Sequence, residues 1–166
     1  LAEWALRYSP ISAPDAPDGL VIDTTGAEHL HGGEEKMLRD IRERLNRVGI
    51  DARVAIADTW GAAYALARFH REASLVVPEG MSAQEILPLH LASLRLPSAA
   101  IMGLREVGFE TVRDLERQPR APLAHRFSDR IQIMQHQHAL DLATAQRRRR
   151  TTRPHVDGSR QQGVEL

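Results

Sequence analysis

Three carboxylates stand close together early in the chain: Asp15 and Asp18 lead into the apolar run Leu20-Val21-Ile22, and Asp23 closes it. Acids gathered at the ends of a short buried strand are the donor type that holds hard divalent cations, which take oxygen ligands and need several of them at once. Gly19, between Asp18 and the apolar run, offers no ligand. Other chemistry-bearing groups are sparser. His29-x-His31 and His136-x-His138 each present two nitrogens with no third ligand nearby, which is not a metal site. Ser9, Ser12 and Thr25 lack the strand-turn-helix setting of a nucleophile elbow. Gly32-Gly33 lacks the spacing and the lysine of a phosphate loop. With no cysteine, disulfides, thiolate zinc sites and cysteine nucleophiles are excluded.

The elements that must position these groups follow from periodicity. Leu1 to Arg7 reads as the end of a helix, and Pro10, Pro14 and Pro17 hold the approach to the strand extended. From about Glu34 to Val48, Met37, Leu38, Ile41, Leu45 and Val48 recur at helical spacing and predict one buried face. Glu34 and Glu35 suit the positive end of that helix's dipole, and Arg44 and Arg47 the negative end. A second strand is expected over 52–57. An alanine-rich helix over 61–70, capped by Asp58 or Thr59, comes next, and then a third strand at Leu75-Val76-Val77. Strand, helix, strand, helix, strand is an α/β or α+β layer, with helices expected on one sheet face, and with the short helices that follow the fold class expected is α+β. Past Pro88 only short helices are expected: one over 97–107, one capped by Thr111 with Asp114 three residues on, and one over 123–127. Three segments result: a sheet domain over 1–88, a helical domain over 89–131, and a helical extension with a basic, disordered tail over 132–166.

Formal charge sums to zero but is unevenly spread. Six arginines between 147 and 166 face only Asp157 and Glu165, so the body before them is acidic. Attraction to a polyanion therefore resides in the run Arg147, Arg148, Arg149 and Arg150, where no aromatic is interleaved to stack on bases. No apolar run approaches the ~20 residues that span a bilayer, and the first residues lack a signal-peptide pattern. A cytoplasmic protein without membrane partners is expected.

Taken together, YSPISAPDAPDGLVIDTTGAEHLHGGE, VAIADTWGAAYALARF and LRLPSAAIMGLREVGFETVRDLERQPRAPLAHRF resemble a Y-family translesion DNA polymerase, more narrowly its non-catalytic ImuB branch. The resemblance covers about residues 1–131 and implies a partial polymerase palm sheet followed by a helix-hairpin-helix thumb. Active members read approximately S-x-D-E-A-Y-L-D-V-T-G along the palm strand. Asp18 takes the place of the aspartate, Gly19 that of the glutamate, and Asp23-Thr24-Thr25-Gly26 the closing residues. Asp23 is expected to support the strand end, and Asp15 to lie in a turn of different register. Asp18 and Gly19 are thus vestigial positions, with no catalytic residue, metal or cofactor implied; Mg²⁺ enters only if the full protein is an active polymerase. The family places a further strand upstream of Leu1, so the chain reads as part of a longer protein whose sheet has an unpaired edge. By the same resemblance Ser98, Arg105 and Gly108 in the thumb are candidate DNA contacts, and Arg147, Arg148, Arg149 and Arg150 join them on charge alone. The implied partners are DNA, a sliding clamp, a RecA-like accessory protein and an error-prone replicative-type polymerase. The implied role is an adaptor in damage-induced mutagenesis; the rival readings are part of an active error-prone polymerase and a non-functional remnant.

Overall fold

The structure is a computed structural model and describes residues 1–119 and 163–165. A short helix α1 (Ala2–Ala5) leads into a hairpin of β1 (Ser12–Asp15) and β2 (Gly19–Asp23), antiparallel and in register from Ser12 opposite Ile22 to Asp15 opposite Gly19. The prolines obscured β1 in the sequence. Proline cannot donate to a ladder, yet it is tolerated on an edge strand, and β1 is the edge of the sheet. Asp15 is therefore the last residue of a strand rather than part of a turn, which corrects the expectation above.

Helix α2 (Glu34–Arg47) starts after Gly33, whose φ of 102° lets the backbone turn out of the preceding 3-10 turn at Glu28–His31. Met37, Leu38, Ile41 and Leu45 form the predicted stripe. Val48 does not join it: the helix stops at Arg47, the period is lost, and Val48 is 70% exposed. The Tyr8 hydroxyl donates to Asp40 Oδ2 at 2.7 Å, and Arg44 Nε donates to the same oxygen at 2.7 Å, which ties the N-terminal segment to α2. Burial first, and then the Asp40 hydrogen bond, raise the Tyr8 phenol above its ordinary range.

Strand β3 (Val54–Ala57) is buried at every position, and α3 (Trp60–Phe69) carries the chain to β4 (Ser74–Val76), parallel to β3. Thr59 caps α3, its side-chain oxygen accepting from the Ala62 amide at 3.2 Å. Arg53 donates to the Ala67 carbonyl at 2.6 Å and the Glu72 carbonyl at 3.0 Å, and also to that of His70, so carbonyls at and beyond the end of α3 find partners.

The last strand departs from the expectation of a disordered tail. Residues Gly163–Glu165 form β5, which lies between β2 and β3 and is antiparallel to both, giving the order β1-β2-β5-β3-β4. The physical reason is backbone satisfaction. With β2 and β3 parallel and a strand's width apart, their facing amides and carbonyls need an extended partner, and β5 supplies it. Three residues are too short for a periodicity signal.

Both faces of this sheet are covered, which corrects the one-face expectation. Leu20, Ile22, Val54, Ile56 and Val164 pack with the α2 stripe. Ala55 and Ala57, alternating to the other side, pack with the alanines and Leu66 of α3. Leu89 and Val112 join this second cluster from the helical region, which comprises α4 (Ser82–Ile86), a 3-10 turn (Leu91–Leu94), α5 (Ser98–Glu106) and α6 (Val112–Glu116). At the start of α6 the Asp114 carboxylate accepts from the amides of Thr111 (2.8 Å) and Glu110 (3.1 Å), which hold its pKa below the usual carboxylate value. The expected helix over 123–127, the helical extension and the arginine run lie outside the described residues. No helix among the described residues is long and apolar enough to cross a membrane.

Thr59→Ala should cost about 1 kcal/mol of unfolding free energy, because the Ala62 amide loses its only cap acceptor, while Thr59→Ser should retain most of it. Urea denaturation of the two variants checks this.

Candidate functional site

Gly19 opens β2 directly across from Asp15. Leu20 and Ile22 face α2, so the alternation of the strand turns Gly19, Val21 and Asp23, and Asp15 with them, to the face covered by α3. At the place where the sequence lacks an acid, the neighbouring strand thus brings one.

That acid is already engaged. The Asp15 side chain is only 9% exposed and is gripped at both oxygens by Arg95, whose Nη1 donates to Oδ1 at 2.9 Å and whose Nη2 donates to Oδ2. Arg95 ends the 3-10 turn at Leu91–Leu94 in a left-handed conformation (φ 55°), costly for a side-chain-bearing residue, and its guanidinium reaches back to the hairpin. On the way it lies 3.5 Å from the ring centroid of Tyr64 on α3. One turn further along α3, Arg68 lies 4.9 Å from the same ring and donates from Nη2 to Asp18 Oδ1 at 2.6 Å. The five side chains make a closed circuit. It runs from Asp15 through Arg95, Tyr64 and Arg68 to Asp18, beginning and ending on one hairpin, with two acids balanced by two guanidiniums.

The electrostatics follow from these contacts. The Arg68 hydrogen bond, and then its charge, pull the Asp18 pKa below the ordinary aspartate value, although Asp18 itself is largely exposed. Asp23 is used locally: its Oδ1 accepts from the Thr25 amide at 3.1 Å, closing the strand end as the sequence suggested.

The remaining candidates are dispersed. Ser98 is the first residue of α5, whereas Arg105 and Gly108 lie at its far end, where Gly108 takes φ 88° in the turn toward α6. Arg105 is half exposed and pairs with Glu110 at 3.3 Å, and Glu110 also meets His90 at 3.5 Å, so the arginine's charge is partly answered within the chain. Arg147 to Arg150 lie outside the described residues. His31 packs its ring 5.2 Å from that of Tyr8, and among the described residues no cluster of three acid or histidine side chains could hold a metal. An open groove of about 590 Å³ lies elsewhere, between α2 and β4, lined by Arg39, Arg42, Glu43 and Leu75 among others.

Sequence reasoning missed Arg95, Tyr64 and Arg68. Tyr64 and Arg68 carry a local signal, an aromatic and an arginine four residues apart on a helix. Arg95 is 80 residues from Asp15 and carries none.

No protein-family model matches the chain, and no solved structure does. Curated relatives do match. Over 127 residues, 76% of this chain, it is 47% identical to Protein ImuB of Caulobacter vibrioides, in strain NA1000 / CB15N and in strain ATCC 19089 / CIP 103742 / CB 15 alike. Over 122 residues, 72% of the chain, it is 30% identical to DNA polymerase IV of Dehalococcoides mccartyi. The match spans 28% of the ImuB proteins and 31% of the polymerase, so the chain corresponds to less than a third of each relative. A mixed sheet with a palm-type hairpin, helices on both faces and a helical region beyond, together with these identities, defines a homologue of the Y-family DNA polymerases. Within that class the chain is ImuB-like.

Arg95→Met should destabilise the fold by roughly 3 kcal/mol, since it leaves a buried carboxylate without its cation; Asp15→Leu combined with Arg95→Met should recover most of that loss. Chemical denaturation of the single and double variants gives the coupling. For Asp18, a pKa lower in the folded than in the unfolded chain means that the Arg68 pair contributes fully at neutral pH and is lost as pH falls through the depressed value. Asp18→Asn should therefore flatten the acid limb of the stability curve, measured by denaturation at a series of pH values from about 7 downward; an unchanged slope contradicts it.

Proposed function

We propose that this chain is the palm-like part of a non-catalytic Y-family polymerase homologue that serves as a DNA-associated adaptor in damage-induced mutagenesis and translesion synthesis. One observation carries the reading: Gly19 stands where the palm strand needs an acid, and the neighbouring acids, Asp15 and Asp18, are bound by Arg95 and Arg68. Nucleotidyl transfer by a metal pair requires carboxylate lone pairs open to the ions. A buried carboxylate bound at both oxygens by a guanidinium is a poor ligand, and the nearby positive charges of Arg68 and Arg95 oppose an incoming cation. The donor set does not fit Mg²⁺, and the proposal assigns the chain no metal.

The likeness to ImuB supports the adaptor role, and the likeness to DNA polymerase IV supports an association with DNA. In this reading Ser98, Arg105 and Gly108 meet the DNA backbone from α5 and its turn, and Arg147, Arg148, Arg149 and Arg150 add attraction that weakens as salt rises. The partners proposed with it are the sliding clamp, a RecA-like accessory protein and an error-prone replicative-type polymerase, in the cytoplasm.

Primer extension with the purified chain in Mg²⁺ and in Mn²⁺ should show no templated incorporation above a no-protein control. Incorporation abolished by Asp18→Asn makes the chain part of an active enzyme instead. Co-purification with the clamp or either protein partner, absent from a Y-family control lacking ImuB likeness, tests the adaptor role; failure with all of them leaves the remnant reading.

A further inference from the structure

The hold of Arg95 on the hairpin acid bears on a helix that neither residue belongs to. Ser98 and Arg105 stand two turns apart on α5, so they share a face, and both are exposed. The buried residues of that helix, Ala100 and Leu104, belong to neither apolar cluster of the sheet. Among the described elements its main neighbour is the 3-10 turn at Leu91–Leu94. The angle between α5 and the sheet is therefore inherited from that turn and from Arg95, Leu96 and Pro97, which join the two.

This link is stiff. Pro97 holds φ at −54° and disfavours helical backbone at Leu96 before it, so little play remains between Arg95 and the first turn of α5. Arg95 in turn is fixed in every direction. Its bidentate pair with Asp15 sets the guanidinium within its own plane, and the Tyr64 ring, 3.5 Å away, sets the height of that plane. Glycine would adopt the φ of 55° more easily, but it has no side chain to reach β1.

We infer that Asp15, Arg95 and Tyr64 are positioning residues for DNA binding: they hold α5 at one angle to the sheet, so that Ser98, Arg105 and Gly108 meet a DNA backbone together. The inference rests on the DNA-associated reading above and deepens it. A forked ion pair fixes direction as well as distance, whereas an apolar contact in its place tolerates sliding.

Asp15→Leu combined with Arg95→Met separates position from stability, because the double variant recovers most of the stability without a directional pair and keeps the net charge. The chain contains no cysteine, so Val48→Cys and Glu106→Cys, both at exposed positions, carry spin labels at chosen places on α2 and α5. The distance distribution between the labels should be narrow in the otherwise unsubstituted chain and broader in the double variant. Without labels, the double variant should bind a DNA duplex about tenfold more weakly. Arg105→Gln should weaken binding and lower the salt slope by about one unit in the unsubstituted chain, with little further effect in the double variant. Arg95→Lys keeps the charge without the fork and should move both readouts in the same direction. A distance distribution that stays narrow, or full DNA affinity once stability is recovered, overturns the inference and leaves the three residues a structural role alone. No DNA binding by the unsubstituted chain overturns the DNA-associated reading and the inference with it.

Discussion

Parallel strands β2 and β3 stand a strand's width apart, and the backbone groups between them must be satisfied. Everything else in the sheet depends on that gap being filled. With β5 in place, Val164 joins Ile22 and Ile56 beneath α2, Gly163 lets the start of α3 approach closely, and the two apolar layers close on opposite faces. Exchange of a buried amide's water partners for a ladder bond gains little, whereas leaving the amide unpaired costs a good deal. The constraint is therefore strong enough to draw a remote three-residue segment into the core.

A second economy operates at the hairpin. The charge of the hairpin's two acids, Asp15 and Asp18, is settled by arginines from two other elements. Arg68 comes from α3, and Arg95 from the turn that precedes α5. Tyr64 lies against both guanidiniums, so the two ion pairs share one apolar support. Such pairs add modestly to net stability, but they fix geometry, because breaking one strands a charge. The Arg95–Asp15 pair also ties the helical region to the sheet.

What the sequence revealed and what it hid divide along the range of the interaction. Helix α2 was legible from the spacing of Met37, Leu38, Ile41 and Leu45, and only its last expected member, Val48, fell outside once the helix ended. The Thr111–Asp114 arrangement is a local signal for a cap, and so is Asp58-Thr59, though which of those two serves α3 is decided by the structure in favour of Thr59. Strand β1 was hidden by Pro14, whose missing amide argues against a strand until the strand is known to be an edge. Strand β5 was hidden by its length and by the arginines before it. In the site, Gly19 and Asp23 could be placed by their order along one strand, with Asp18 in the turn just before it. The partner of Asp15 could not, because cross-strand register and a contact 80 residues away are set by tertiary packing alone.

The circuit through Tyr64 also bears on reversibility. A glutamate substituted at position 19 would emerge opposite Asp15, in a space whose positive charge is already committed and whose aromatic wall is braced from both sides. To become a cation-binding centre the region would have to shed at least one arginine as well, and losing Arg95 first strands a carboxylate while adding an acid first crowds two. Each intermediate is less stable than the present arrangement, so the paired hairpin resists that change when it is made one substitution at a time.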